Sequence, residues 1–160
     1  MLQDGNLKPM IELAIIILVL SMVTYSAVKS GGVCDSISAI SYTVPKWLFS
    51  IWIMTVGIVT MAGLMEVLKP NYQWIGFMVA GGISCVASSP YYKEELKTLH
   101  YMGAVLCFLS AIASIVILKS VVLLIWLLYP FLVLLKPRLW VLTAECVCIF
   151  EIIVTLLLSD

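Results

Sequence analysis

The sequence predicts an all-α integral membrane protein, a six-helix transmembrane bundle forming one domain over residues 1–160, and three observations carry that prediction. Of 160 residues 63% are apolar and 11% charged, where a soluble domain is roughly 25% charged. The mean hydropathy of +1.15 leaves too little polar surface to coat a globule in water. Apolar runs of membrane-crossing length recur along the chain, with Lys or Arg at their ends. Nine basic residues balance nine acidic ones without a Lys/Arg run, which excludes the electrostatic footprint of nucleic-acid binding.

A helix needs about 20 apolar residues to cross a hydrocarbon core of roughly 30 Å, and somewhat fewer with flanking anchors. The first span covers about 10–28. Its leader holds Asp4 against Lys8, with Glu12 just inside the apolar run, so it reads as a retained signal anchor rather than a cleaved peptide. The second covers 47–68, Pro70 and Asn71 break the chain, and the third follows over 73–88. Ser89 and Pro90 then read as the cap and first turn of a helix that enters the membrane as the fourth span, 100–118. Only Lys119 and Ser120 interrupt the apolar run 101–135. As one helix those residues would be roughly 52 Å long, so a tight hairpin and a short fifth span over 121–135 are expected. Pro130 should kink that span or open its hydrogen bonding. The sixth covers 139–158. Trp47, Trp74 and Trp140 fall at span ends, as interfacial belts require.

Six spans put both termini on one face with Lys8, Lys69 and Lys119, against Lys29, Lys46, Lys93, Lys97, Lys136 and Arg138 on the other. Three against six favours the second face as cytoplasmic.

Two rows of small residues, Gly76/Ala80/Ser84/Ser88 and Gly81/Cys85/Ser89, mark the third span as the closely packed centre of the bundle. Gly103, Cys107 and Ala111 form the fourth span's matching row. The fifth span is Leu, Val and Ile almost all round and is expected to face lipid over most of its circumference.

Chemistry-bearing residues are few. Four of the five cysteines fall inside spans and only Cys34 in a connection, so no disulfide framework is implied. One histidine and no paired metal-ligand motif leave no cofactor to expect. Ionisable groups inside a membrane helix are functional candidates. Glu145 and Glu151 qualify, about 120° apart around the sixth helix axis; they form no carboxylate pair, and each is read as a protonated or helix-linking structural group, part of a proton or cation path, or a catalytic acid. Glu12 and Glu66 lie near the termini, with Lys8 and Lys69 as companions.

The most site-like cluster lies on the opposite face. Asp35, Ser36, Ser38 and Tyr42 in the first connection, with His100 at the start of the fourth helix, define a candidate ligand pocket. At these residues the chain resembles a known pattern. Stretches 35–49 (DSISAISYTVPKWLF), 81–87 (GGISCVA) and 100–108 (HYMGAVLCF) are similar to the DRAM-like (damage-regulated autophagy modulator) six-span proteins. They also resemble small bacterial membrane proteins of unknown function. The resemblance spans roughly 35 to 115 and implies cytoplasmic termini with the first loop outside, opposite to the charge count, so the orientation stays open. Some relatives are linked to autophagy and to remodelling of lipid anchors. Ser36, Ser38 and His100 match recurring positions, whereas Ala39 stands where the pattern carries an aspartate, and no catalytic set carries over.

The expected function is that of a non-enzymatic membrane protein binding a lipid headgroup or protein partner, with a homo-oligomer allowed. The alternatives are a proton- or cation-coupled transporter using Glu145 and Glu151, and a membrane-embedded lipid-modifying enzyme.

Overall fold

The computed structural model describes residues 7–91, 97–118, 121–135 and 137–159, and every element among them is helical. In chain order these are α1 (Leu7–Ser30), α2 (Lys46–Val67), α3 (Trp74–Ser88), α4 (Lys97–Ile117), α5 (Tyr129–Leu135) and α6 (Trp140–Leu158). Among the described residues four helices are long and apolar enough to cross a membrane: Pro9–Ser30, Lys46–Val67, Thr98–Ile117 and Trp140–Leu158.

The third and fifth expected spans are helical but short, with 15 residues in α3 and 7 in α5. The cause is local winding. Pro70–Tyr72 and Ser89–Tyr91 are 3-10 turns on either side of α3. Ser89 and Pro90 therefore extend α3, where the sequence reading had them open the fourth helix; residues 92–96 lie outside the described residues. In the fifth segment Val121–Leu127 winds as 3-10 helix before α5 begins. Pro130 has no N–H to give the Trp126 carbonyl. The backbone changes winding at Leu128, which donates to the Ile125 carbonyl (2.8 Å) and accepts from Phe131 (3.1 Å). The hairpin after α4 is present, because Trp126 returns against Phe108 with ring centroids 5.3 Å apart.

Helix ends follow the sequence closely. Gly31 takes φ +70°, and the Gly32 N–H reaches the Ala27 carbonyl at 3.1 Å, the bond of a Schellman C-cap whose left-handed residue is cheapest as glycine. At the other end of α2 the Gln73 side chain donates to the Met65 carbonyl at 2.8 Å, satisfying one of the helix's last acceptors.

α3 runs antiparallel between α2 and α4 and makes the two most extensive helix contacts of the bundle. Against α2 it is held from Gln73–Met65 to the Ser50 hydroxyl, which donates to the Ala87 carbonyl at 2.6 Å. Against α4 it is held by glycines: a Cβ on Gly82 would lie 2.5 Å from the Gly103 carbonyl oxygen and 2.7 Å from the Cys107 nitrogen. Gly81, in contrast, has nothing within 4 Å of that position. The core divides along the bundle into two clusters. Ile15, Leu64, Ile75, Val79 and Leu156 fill the half nearer the termini; Phe49, Trp52, Ile53 and Leu142, together with Ile37, Ile40 and Val44 of the first connection, fill the other. Trp52 joins α2 to α1 by donating from Nε1 to the Leu18 carbonyl at 2.7 Å. Trp47, Trp74 and Trp140 are more than half exposed at their helix ends, as the belt reading requires.

Candidate functional site

The first connection is a plug with one apolar side. Ile37, just before its 3-10 turn (Ser38–Tyr42), and Ile40 within it are 5% and 2% exposed, so burial of these side chains seats the segment in the mouth of the bundle. Ser26, buried near the end of α1, ties both ends of the connection: its hydroxyl lies 2.7 Å from Thr43 Oγ1 and 3.2 Å from Cys34 Sγ. Within it, Ser36 Oγ accepts from the Ala39 N–H and lies 3.0 Å from Ser38 Oγ, a local side-chain turn that leaves the hydroxyls paired with each other.

Two bonds dock this plug onto α6. Glu145 Oε2 accepts from the Ile37 N–H at 2.6 Å, and the Leu142 N–H, an orphan donor of the first turn of α6, reaches the Asp35 carbonyl at 3.2 Å. Beside them Arg138 Nε meets Asp35 Oδ1 at 3.0 Å, with the side chains 83% and 55% exposed. Asp35 thus faces the end of α6 with its carbonyl engaged and its carboxylate outward. Tyr42 is 74% exposed on the same segment.

His100 makes no described hydrogen bond to the first connection. It sits half-buried in the first turn of α4, edge-on to Tyr101 with centroids 5.6 Å apart, and its Nδ1 is buried without a hydrogen-bond partner. The hydrogen bonds described for residues 34–39 run to α1, to α6 and Arg138 just before it, and within the turn, none to His100. Asp35, Ser36 and Ser38 are brought together with Glu145 and Arg138. Of these Arg138 was missed: in the sequence it reads only as a span-end charge.

The second intramembrane carboxylate has a different partner. Glu151 is fully buried; Trp126 Nε1 donates to its Oε2 at 2.5 Å, and its Oε1 is buried with no hydrogen-bond partner. Trp126 also meets Phe108 edge-on and Tyr129 at a tilt, so one side chain links α4, the fifth segment and α6. Trp126 is an inward contact on a segment that exposes Val121, Leu124, Leu127, Leu128, Phe131, Leu134 and Leu135, in keeping with a face turned outward over most of its circumference. The signal was present, because Trp126 is the one tryptophan of that segment and lies mid-run, away from either belt. The two glutamates serve separate contacts, as their angular separation predicts. Among the described residues Arg138–Asp35 is the one ion pair, so Glu66 and Lys69 do not pair; the side chains of Glu12 and Lys8 lie outside those described. All five cysteines are free, and no cluster of three metal-ligating side chains occurs among the described residues.

Replacing Glu145 by Leu should undo the plug. The Ile37 N–H loses its acceptor, at a cost of about 1–3 kcal/mol, and the Cys34 thiol beside Ser26 becomes more accessible. Maleimide labelling of Cys34, followed by peptide mass spectrometry, should accelerate about tenfold. An unchanged rate would mean that burial of Ile37 and Ile40 seats the plug without Glu145.

No protein-family profile, curated protein or solved structure matches the chain.

Proposed function

We propose that the chain is a non-enzymatic, six-crossing membrane protein that holds a phospholipid headgroup on the first connection where it docks on α6. The observation that carries this reading is the Asp35–Arg138 pair. It is exposed, it stands on a segment fixed by Glu145 and Leu142, and it engages only Nε and Oδ1 in a single contact. A guanidinium presents five donors in a planar fork suited to phosphate, and the second Asp35 oxygen suits an ammonium group. A zwitterionic amine-phosphate headgroup matches both charges. The same pair left alone in water contributes about 0–1 kcal/mol, too little to account for a purpose-built platform.

Six crossings are supported by length. α3 and its two flanking 3-10 turns together rise roughly 34 Å, and Val121–Leu135 roughly 25 Å, close to the hydrocarbon thickness. α3 also lies alongside α2 from Met65 to Ser50. The DRAM-like resemblance implies the same count.

The test is lipid retention. Protein purified from mixed phosphatidylethanolamine and phosphatidylcholine membranes should carry excess phosphatidylethanolamine in native mass spectrometry. Asp35→Asn combined with Arg138→Gln should remove that excess; equal retention of both lipids by the unaltered chain would reject the reading.

A second reading, a proton- or cation-coupled carrier, is favoured by the buried and unpartnered Oε1 of Glu151. It rests on Glu151 alone, since Glu145 is engaged by Ile37. Reconstituted flux that is unaltered by Glu151→Gln would reject it.

A further inference from the structure

We infer that the site takes a whole phospholipid, with one acyl chain laid in a groove on α6 directly below the Asp35–Arg138 pair; this rests on the headgroup reading above and extends it into the membrane. The groove is a shallow, largely open depression of about 350 Å³ lined by Leu139, Leu142, Thr143, Cys146, Val147 and Phe150. These residues follow at steps of three and four, so they form one stripe along a single helix face.

Three features select a lipid chain as the occupant. The first is position. Arg138 immediately precedes Leu139, and the Asp35 carbonyl is bonded to the Leu142 N–H, so both charges stand at the groove's upper end. The second is depth. Leu139 to Phe150 spans roughly 16 Å of helix rise, about half of a hydrocarbon core of roughly 30 Å, which is the depth of one leaflet. The third is chemistry. The lining is apolar apart from Thr143 and Cys146, and Thr143 donates its hydroxyl back to the Leu139 carbonyl at 2.8 Å, leaving no donor that an acyl chain would strand. A phosphatidylethanolamine places its phosphate on Arg138, its ammonium on Asp35 and its chain along the stripe; an anionic headgroup meets Asp35 as a like charge, and a choline headgroup offers Asp35 no N–H.

The experiment uses the full chain in phosphatidylcholine nanodiscs doped with phosphatidylethanolamine bearing a diazirine midway along one acyl chain. After irradiation, adducts are mapped by peptide mass spectrometry. Adducts should concentrate on residues 139–150 and fall at least about tenfold in Asp35→Asn/Arg138→Gln, which removes both charge-assisted contacts. The same diazirine on phosphatidylcholine should label this stripe no more than other exposed helix faces. Cys146→Trp, which adds bulk from an exposed position, should remove the groove adducts; Thr143→Trp provides an independent obstruction. Adducts spread evenly over α4, α5 and α6, with phosphatidylethanolamine still retained in excess, overturn the groove alone. Even labelling together with no excess overturns the headgroup reading as well.

Discussion

Gly82→Leu should prevent the bundle from assembling, whereas Gly81→Leu, one residue earlier, should leave it intact. At Gly82 even a methyl group would stand 2.5 Å from the Gly103 carbonyl oxygen and 2.7 Å from the Cys107 nitrogen. Both are backbone atoms of α4, so no rotamer change relieves the collision and the helices must separate. Gly82→Ala should already cost about 1–3 kcal/mol as overpacking. A leucine there costs more, because helices in lipid are held by close packing and not by exclusion from water. Gly103→Val attacks the contact from the other side, where an added Cβ would fall on the Cys85 side chain and 2.8 Å from the Gly82 carbonyl oxygen. At Gly81 the same Cβ meets nothing within 4 Å. The fraction of each variant recovered as a monodisperse species in mild detergent, with its thermal midpoint, checks the contrast. If Gly82→Leu matched Gly81→Leu, the α3–α4 approach would be looser than described.

That contrast also shows where sequence periodicity stops. Rows of small residues correctly marked the third segment as central, yet they chose Gly81 with Cys85 and passed over Gly82. α3 is flanked on two sides, with Gly76 and Ile83 toward α2 and Gly82 toward α4. A helix with two packed faces offers several overlapping i+4 rows, and only the neighbours decide among them. The long helices were legible because apolar length is a local property. The shortness of α3 and α5 was less so: winding as 3-10 helix stretches few residues over more rise, and only Pro130 advertised it.

Sites were legible as residues and illegible as pairs. Glu145 and Glu151 stood out as charges that mark no span end. Their partners are 108 and 25 residues away, and one of them is a backbone N–H, which has no signature in sequence. Ser26 gave no signal either, since a serine near a helix end is ordinary until the connection folds back over it. The expected pocket joined Ser36 and Ser38 to His100 because both lie on one face. The plug's apolar side, Ile37 and Ile40, turns the connection toward α6.

Glu151→Leu should destabilise the protein by about 1–3 kcal/mol, since it strands the Trp126 N–H beneath α4 and α6. Trp126→Phe should cost a comparable amount by leaving the carboxyl without its donor, plus part of the ring contact with Phe108. The double variant Trp126→Phe/Glu151→Leu removes both polar groups at once, so its loss should be smaller than the sum of the two by about 1 kcal/mol or more. Additive losses would mean that the 2.5 Å contact does not couple the two side chains. Glu151→Gln separates structure from chemistry, because the amide still offers Trp126 an acceptor but cannot ionise. A Gln variant as stable as the parent assigns Glu151 the task of fastening the fifth segment, whose 3-10 winding and short α5 give it little hold of its own. If Gln instead destabilises as much as Leu, an acceptor is not enough and the carboxyl's second oxygen is in use. Oε1 is the buried atom without a partner, and it is there that a proton or cation would bind.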